Sequence, residues 1–380
     1  MTPDKKIILR LAACCASICI LMVGCAAPQQ KNIISQADPV SQAASSPLIQ
    51  EPSEAEERSF GDISSEESSL AQEAPSLEGS HIEAISSLAA LSVVSSMEIK
   101  ENTVPRAARP VQTTVLTPSA PGTTVYSNSK ASIDASNTSE GYIAVKYTGS
   151  VGKIKLQITR SGGTTYTYNL KGSSYEYFPL TGGNGTYSIN VYENVYDSQY
   201  ALALAQNVEV SLRGAFLPYL YPSQYVNFNA NSTAVAQGAA LANGASTDLD
   251  VVQSVYNYVV TNISYDYNKA TTVKSGYLPS PDSTLSSKTG ICFDYAALMA
   301  TMLRTQNIPT RLEVGYVTGG TYHAWISVYL TEQGWVNGII YFDGQSWKLM
   351  DPTFASNANS SPEIMSFIEN TANYQRVYVY

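Results

Sequence analysis

Cys292 is the residue whose local sequence best suits nucleophilic chemistry. The thiolate is the nucleophile, so a reactive cysteine needs surroundings that favour its charged form. After Cys292, apolar residues recur at helical spacing until Asn307-Ile308-Pro309 ends the pattern. We therefore predict that Cys292 opens a helix, whose N–H groups and dipole stabilise an anion there. A buried cysteine at a helix start is also common as a small core residue, and that alternative stays open.

His323 and Asp351 are the residues that such a thiol would require as partners. The chain has two histidines, and the other, His81, lies in a segment unlike a folded domain. An imidazole can take the thiol proton and return it to a leaving amine. Asp351 follows an expected strand and could hold the second ring nitrogen, which would stabilise the imidazolium.

Helices and strands alternate around these residues. A helix is expected over 232–242, and Thr247-Asp248 is a cap signal for another. Four strands are expected at 311–316, 322–330, 339–342 and 346–350, pairing in chain order as a meander beside the Cys292 helix. This pattern predicts an α+β domain over residues 218–380.

The preceding residues, 123–215, have the alternation of a β-rich module. Strands are expected at 141–148, 153–159, 164–170 and 187–192, separated by glycine-rich turns. This spacing favours a small antiparallel sandwich, and Tyr187 resembles the corner tyrosine of immunoglobulin-like domains. We interpret the module as a spacer, although its tyrosines leave glycan binding as an alternative.

The first 122 residues predict export and a tether. Basic residues, an apolar run and Met22-Val23-Gly24-Cys25 resemble a lipoprotein signal peptide over 1–24, with lipid on Cys25. Ordinary secretory cleavage near Ala26 is the alternative. Residues 25–122 are rich in Ser, Glu and Pro, which predicts a disordered tether. Cys25 and Cys292 would then be the only cysteines of the mature protein, at the outer face of a bacterial membrane.

Composition argues against several other classes of function. Most of the net charge of −9 lies in the predicted tether, and no basic stripe in the remainder could neutralise a phosphate backbone. We therefore expect no nucleic-acid partner. One histidine and one cysteine are too few for an ordinary zinc site, and no phosphate-binding glycine loop is present, so no metal or cofactor is expected.

The chain resembles the transglutaminase-like family over the region that holds Cys292 and His323. Successive family signatures are found at residues 289–298, 302–304, 308–311, 315–316, 323–325, 334–335 and 351–353. The resemblance implies a papain-like α+β core and a Cys, His, Asp triad in that chain order. It assigns Cys292 as nucleophile, His323 as general base and acid, and Asp351 as the orienting carboxylate.

Two further site assignments follow from the resemblance. The Cys292 backbone N–H is implied as an oxyanion donor, with an aromatic partner that would be Tyr265 or Tyr267. The interval between His323 and Asp351 exceeds the family's usual hairpin, so Asp343 competes with Asp351. Asp294 we interpret as a first-turn carboxylate that supports the helix start, although its charge opposes a nearby thiolate.

The resemblance implies acyl transfer at a protein or peptide carboxamide through a thioester. Both a lysine amine and water are expected acceptors, so transglutaminase, deamidase and peptidase activities all remain open. A non-catalytic surface module that binds cell-wall or host polymer is the alternative function. The expected partners are a protein or peptide substrate, the membrane through lipid on Cys25, and the cell wall.

Overall fold

The computed structural model describes residues 48–50, 108–317, 320, 322–331, 334–337, 339–342, 347–350 and 374–380. Of residues 48–50, 337, 339–342, 347–350 and 374 it describes the backbone alone. The residues of the predicted signal peptide, most of those of the predicted tether, and Cys25, Asp343 and Asp351 lie outside the described residues. No helix among the described residues is long and apolar enough to cross a membrane.

Two antiparallel sheets occupy most of the region between residues 125 and 210. One sheet has the order β2-β3-β4-β7, and the other has the order β1-β9-β8-β5-β6. Their strands are β1 (Leu48–Gln50), β2 (Val125–Ser127), β3 (Ala131–Asp134), β4 (Tyr142–Tyr147), β5 (Ile154–Arg160), β6 (Thr165–Leu170), β7 (Glu176–Pro179), β8 (Gly185–Tyr196) and β9 (Gln199–Val210). The four strands predicted here are confirmed, and buried residues of both sheets belong to one core.

Tyr187 makes the hydrogen bond that its sequence context suggested. It is buried near the start of β8, and its hydroxyl donates to the carbonyl of Gly183 at 2.8 Å. A tyrosine hydroxyl bonded to backbone a few residues upstream is the arrangement of a tyrosine corner. The immunoglobulin-like classification of the module itself remains a prediction.

Helices and a second set of strands form the rest of the described chain. The helices are α1 (Thr233–Ala242), α2 (Asp248–Asn262), α3 (Tyr267–Thr272), α4 (Pro281–Ser287) and α5 (Cys292–Arg304). The strands are β10 (Ser264–Tyr265), β11 (Thr289–Gly290), β12 (Thr310–Val317), β13 (Tyr322–Leu330), β14 (Gly334–Asn337), β15 (Ile339–Phe342), β16 (Trp347–Met350) and β17 (Tyr374–Val379). Helix α5 packs against β12, β13 and the other long helices.

Two of the predicted helix boundaries are confirmed in detail. The Thr247 hydroxyl accepts from the Asp250 N–H at 3.1 Å, and the Asp250 carboxylate accepts from the Thr247 N–H at 2.9 Å. This reciprocal capping box fixes the first turn of α2. Helix α5 begins at Cys292 and ends before Pro309, as its apolar periodicity indicated.

The predicted four-strand meander is wrong for its last two strands. The sheet beside α5 has the order β14-β13-β12-β17, while β15 and β16 pair only with each other within the described residues. Strand β14 occupies one edge of β13, and β17 occupies the far edge of β12. Because both edges are taken by strands that the periodicity analysis did not assign, β15 and β16 form a separate hairpin.

Residues 108–122 correct the expected boundary of the tether. The Arg109 side chain forms an ion pair with Asp248 at the start of α2, and the Gln112 N–H donates to the Gln306 side chain at 3.0 Å. Further along, the Gly122 N–H donates to Asp134 of β3 at 2.8 Å. This segment is therefore attached to both folded regions, which its low hydrophobicity did not indicate.

An aromatic cluster joins the two regions, and it comprises Tyr166, Tyr168, Tyr225, Tyr378 and Tyr380. The ring centroids of Tyr168 and Tyr380 are 6.0 Å apart, and those of Tyr225 and Tyr380 are 4.5 Å apart. The Thr181 hydroxyl also donates to the carbonyl of Val379 at 3.0 Å. The two-sheet region therefore packs directly against β17.

Candidate active site

Cys292 is the first residue of α5, and its side chain is fully buried. The preceding residue, Ile291, has an extended backbone with φ −94° and ψ 175°, and no side-chain oxygen caps the helix from that position. The N–H groups at a helix start carry a partial positive charge and point away from the helix. A thiolate or oxyanion at Cys292 would therefore lie where backbone electrostatics favour negative charge. Among the described residues Cys292 forms no disulfide.

A short parallel strand pair sets the position of this helix start. Tyr265 of β10 is paired with Gly290 of β11, and the Asp266 N–H donates to the Gly290 carbonyl at 2.9 Å. A Cβ added to Gly290 would lie 2.6 Å from the Cβ of Asp294. Gly290 is thus required because the chain passes close to the first turn of α5.

Asp294 anchors the first turn through a buried network. Its side chain is fully buried, and Oδ2 accepts from the Ile291 N–H at 2.9 Å, as the prediction of a helix-starting carboxylate requires. The same oxygen accepts from the Lys269 ammonium at 2.7 Å, and Oδ1 accepts from the Tyr277 hydroxyl at 2.6 Å. Burial, followed by the charge and hydrogen bond of Asp294, raises the pKa of Tyr277 well above its ordinary value. Tyr277 therefore stays protonated and serves as a donor.

His323 lies near the beginning of β13, the strand against which α5 packs. Its side chain is fully buried, and it is paired with Gly315 across the ladder. The pKa of the preceding Tyr322 is raised chiefly by burial, then by neighbouring tyrosines and also by the charge of Cys292. Tyr322 and His323 are successive residues of the strand against which α5 packs.

The two tyrosines considered for the oxyanion site differ in exposure. Tyr265 is 8% exposed, whereas Tyr267 is 51% exposed at the start of α3. Their ring centroids are 5.0 Å apart in an edge-on arrangement. Tyr265 belongs to the strand that pairs with Gly290, so it is the better placed of the two. Its role as an oxyanion donor remains a prediction.

The third member of the predicted triad is not placed. Asp351 and its competitor Asp343 lie outside the described residues, as does Cys25. The backbone of β16 ends at Met350, where β16 pairs with Ile339 of β15. No group of three or more metal-binding side chains occurs among the described residues.

Glu313 is a buried carboxylate beside the histidine strand that the sequence reasoning missed. It is paired with Trp325, and its Oε2 accepts from the Trp325 indole and the Ser327 hydroxyl, each at 2.9 Å. Its Oε1 accepts from Arg376 of β17 at 3.0 Å. These bonds tie β12, β13 and β17 together close to His323. The available signal was a carboxylate within an otherwise apolar strand.

Lys269 and Tyr277 were also missed, because neither lies near Cys292 in sequence. Both belong to segments that the sequence analysis left without a role, namely α3 and the loop that follows it. The short β10–β11 pairing brings this part of the chain back to the start of α5.

Comparison with known proteins agrees with the motif analysis. Residues 235–338 match the model of the transglutaminase-like superfamily, a range that contains Cys292 and His323. A UPF0252 protein of Methanocaldococcus jannaschii is 34% identical over 88 residues, which are 20% of this chain and 25% of that protein. An uncharacterized protein of Bacillus subtilis, YebA, is 29% identical over 105 residues, 23% of this chain and 14% of that protein. The chain thus spans a quarter or less of these relatives.

The solved structures to which the chain is similar include proteins described as proteases and a transglutaminase. A candidate cysteine protease of Cytophaga hutchinsonii covers 54% of this chain and 68% of its own, with 15% identity and a TM-score of 0.28. The match to a candidate protease of Parabacteroides distasonis covers 55% of this chain and 63% of that protein's chain, with 12% identity and a TM-score of 0.24. The match to red sea bream transglutaminase covers 60% of this chain and 53% of that protein's chain, with 12% identity and a TM-score of 0.24.

The family match covers α1 of this chain from its third residue and continues through β14, so it includes α5 and β13. It therefore assigns residues 235–338 to the transglutaminase-like superfamily, as a core domain of mixed α and β structure.

Proposed function

We propose that this protein is a cysteine enzyme that transfers the acyl group of a protein or peptide carboxamide through a thioester on Cys292. The observation that carries the proposal is the position of Cys292. It is a buried thiol at the start of α5, within the residues that match the superfamily. A structural cysteine has no need of this electrostatic setting.

The proposed first half-reaction forms the thioester. The thiol proton passes to His323, and the sulfur attacks the carboxamide carbon to give a tetrahedral oxyanion. The C–N bond then breaks as His323 returns the proton to the departing nitrogen, which leaves as ammonia or an amine. Asp351 would orient the imidazole during both transfers.

The second half-reaction consumes the thioester. A lysine amine or a water molecule attacks the acyl carbon while His323 accepts its proton. The C–S bond breaks, and the proton returns to the sulfur. The Cys292 N–H would stabilise the oxyanion in both halves, and Tyr265 is our candidate for a second donor.

The proposed setting is the outer face of a bacterial membrane. The motif at Met22–Cys25 supports lipidation of Cys25, and the polar segment after it supports a tether that holds the catalytic domain away from the lipid. Surface proteins and cell-wall peptides would then be the accessible substrates.

The test uses the full chain with a glutamine-containing protein and a fluorescent amine. We expect ammonia release together with amine incorporation, deamidation or cleavage, which mass spectrometry of the products separates. Cys292→Ala should abolish all three while leaving membrane association intact. Cys25→Ala is the matched control and should release the protein from membranes without changing turnover in detergent.

Two results would reject the proposal. One is a wild-type protein that releases no ammonia and modifies no substrate in a survey of surface proteins and wall peptides. The other is a Cys292 thiol that titrates like free cysteine, at about pH 8.5. Retained polymer binding by Cys292→Ala in that case would support the non-catalytic surface module.

A further inference from the structure

The Asp294 network places a buried carboxylate in the same helical turn as the proposed nucleophile. Asp294 is two residues after Cys292, in the first turn of the same helix, and its side chain is fully buried. A carboxylate there opposes formation of a thiolate, and burial strengthens the opposition because water does not screen it. The start of α5 nevertheless requires this carboxylate, since it accepts from the Ile291 N–H.

Lys269 resolves this conflict. Its ammonium lies 2.7 Å from Asp294 Oδ2 and 2.5 Å from the Tyr277 hydroxyl, and 4.5 Å from the centre of the Tyr277 ring. The backbone of Lys269 is fixed as well, because the Asp266 carboxylate caps α3 by accepting from the Lys269 backbone N–H at 2.9 Å. Lys269 therefore has little freedom to leave the carboxylate.

We propose that Lys269 is a positioning residue that cancels the charge of Asp294, so that the carboxylate can fix the helix start without suppressing the Cys292 thiolate. Tyr277 contributes by donating a hydrogen bond to the second carboxylate oxygen of Asp294 and by packing its ring against the Lys269 ammonium. This inference rests on the proposed role of Cys292 as a nucleophile.

Other ionisable groups lie in segments adjacent to the helix start. The neighbouring segments β10, α3, the loop after α3 and β13 contribute Tyr265, Asp266, Lys269, Tyr277, Tyr322 and His323. Of these, Lys269 is the group that forms a direct ion pair with Asp294 among the described residues. Removing the Lys269 ammonium would leave the Asp294 carboxylate without this ion-pair partner.

The decisive experiment is a double-mutant cycle in which the charges of Lys269 and Asp294 are removed singly and together. The thiol is titrated by ultraviolet thiolate absorbance in the full chain, with the spectrum of Cys292→Ala subtracted to isolate Cys292. Lys269→Met should raise the apparent pKa of Cys292 by about one unit, a tenfold loss of thiolate at neutral pH. Asp294→Asn should lower it, because the ammonium is then unpaired. The double variant should return close to wild type.

Opposite shifts that cancel in the double variant are a result that a purely structural role would not give. Lys269→Arg keeps the positive charge, so the pKa of Cys292 in this variant should stay close to the wild-type value. If Lys269→Met folds poorly, Tyr277→Phe provides a milder variant that removes one hydrogen bond and should raise the pKa by a smaller amount.

The inference is overturned if wild-type Cys292 titrates low and none of these variants moves it. A wild-type thiol that already titrates like free cysteine rejects the proposed nucleophile itself, so the two failures are distinguishable.

Discussion

The ring of Tyr225 lies 5.3 Å from the ring of Phe293, the residue that directly follows Cys292. Tyr225 also contacts Tyr168 of β6, at a centroid distance of 5.9 Å. A chain of aromatic contacts thus runs from the interior of the two-sheet region to the start of α5. The two-sheet region therefore packs against the residues that support the start of α5.

Tyr168→Ala should therefore destabilise the whole folded chain. Tyr168 is 2% exposed, and its loss would leave a cavity next to Tyr225 and Phe178. We expect a loss of about 3–5 kcal/mol in the free energy of unfolding, as for other large-to-small aromatic changes. Denaturant unfolding followed by tryptophan fluorescence and circular dichroism measures it. Tyr196→Ala is the control, because that side chain is 75% exposed at the tip of β8.

The same experiment tests the coupling of the two regions. The tryptophans lie outside the two-sheet region, at Trp325, Trp335 and Trp347. If the regions unfold as one unit, the fluorescence transition should move with the circular dichroism transition. A fluorescence midpoint that stays fixed while the dichroism shifts would contradict direct support of the site by β6.

Gly290→Ala should disturb the nucleophile helix. The new methyl group would lie 2.6 Å from Asp294 Cβ and 3.2 Å from a methyl carbon of Thr284, so the first turn of α5 must shift. We expect a stability loss of about 1–3 kcal/mol, together with a fall in amide turnover.

Gly152→Ala is the matched control for that prediction. A Cβ at Gly152 meets nothing within 4 Å, so its stability and activity should match wild type. If the Gly290 variant loses stability but keeps full turnover, the position of the α5 start matters less to catalysis than we infer.

Glu313→Gln should loosen the strand that carries His323. The amide oxygen can still accept from Trp325 and Ser327, but the amide nitrogen would oppose Arg376 instead of pairing with it. Because Arg376 is half exposed and partly screened, we expect a loss of about 1–3 kcal/mol in unfolding free energy, measured by urea denaturation. Glu209→Gln, at an exposed position of β9, should cause little change. Equal effects of the two variants would argue against a buried ion pair.

Glu140 should make stability depend on pH. A hydrogen bond from Arg213 is the largest cause that lowers its pKa below the ordinary 4.5, aided by one from Tyr221. A lowered folded-state pKa contributes stability above pH 4.5, and this contribution is lost as the pH falls through the folded value. Glu140→Gln should therefore be less stable than wild type near neutral pH, with the difference shrinking in acid.

Urea midpoints at about pH 7 and about pH 3 measure this difference for the two proteins. Arg213→Met should give the same convergence, because it removes the partner that lowers the Glu140 pKa. Parallel pH curves for wild type and Glu140→Gln would show that the pair contributes nothing to folding.

The sequence by itself determined the local features of this protein. Apolar periodicity and a proline stop defined α5 from Cys292, Thr247 and Asp250 set the start of α2, and alternation defined β12 and β13. Each of these depends on residues a few positions apart, where spacing along the chain translates directly into one helix face or one strand face. The family signatures around Cys292 and His323 have the same local character.

Tertiary structure alone decided which distant groups meet. Lys269 reaches Asp294 because two short strands pair, Tyr225 reaches Phe293 because two regions pack, and β17 adds to β12 by backbone hydrogen bonds. Backbone groups are the same in every residue, so an edge strand carries little sequence signal about its partner. Charge pairing across a fold likewise leaves no periodic pattern. Cys292 could therefore be proposed as the nucleophile from sequence, whereas the groups that hold its helix in place could not be predicted.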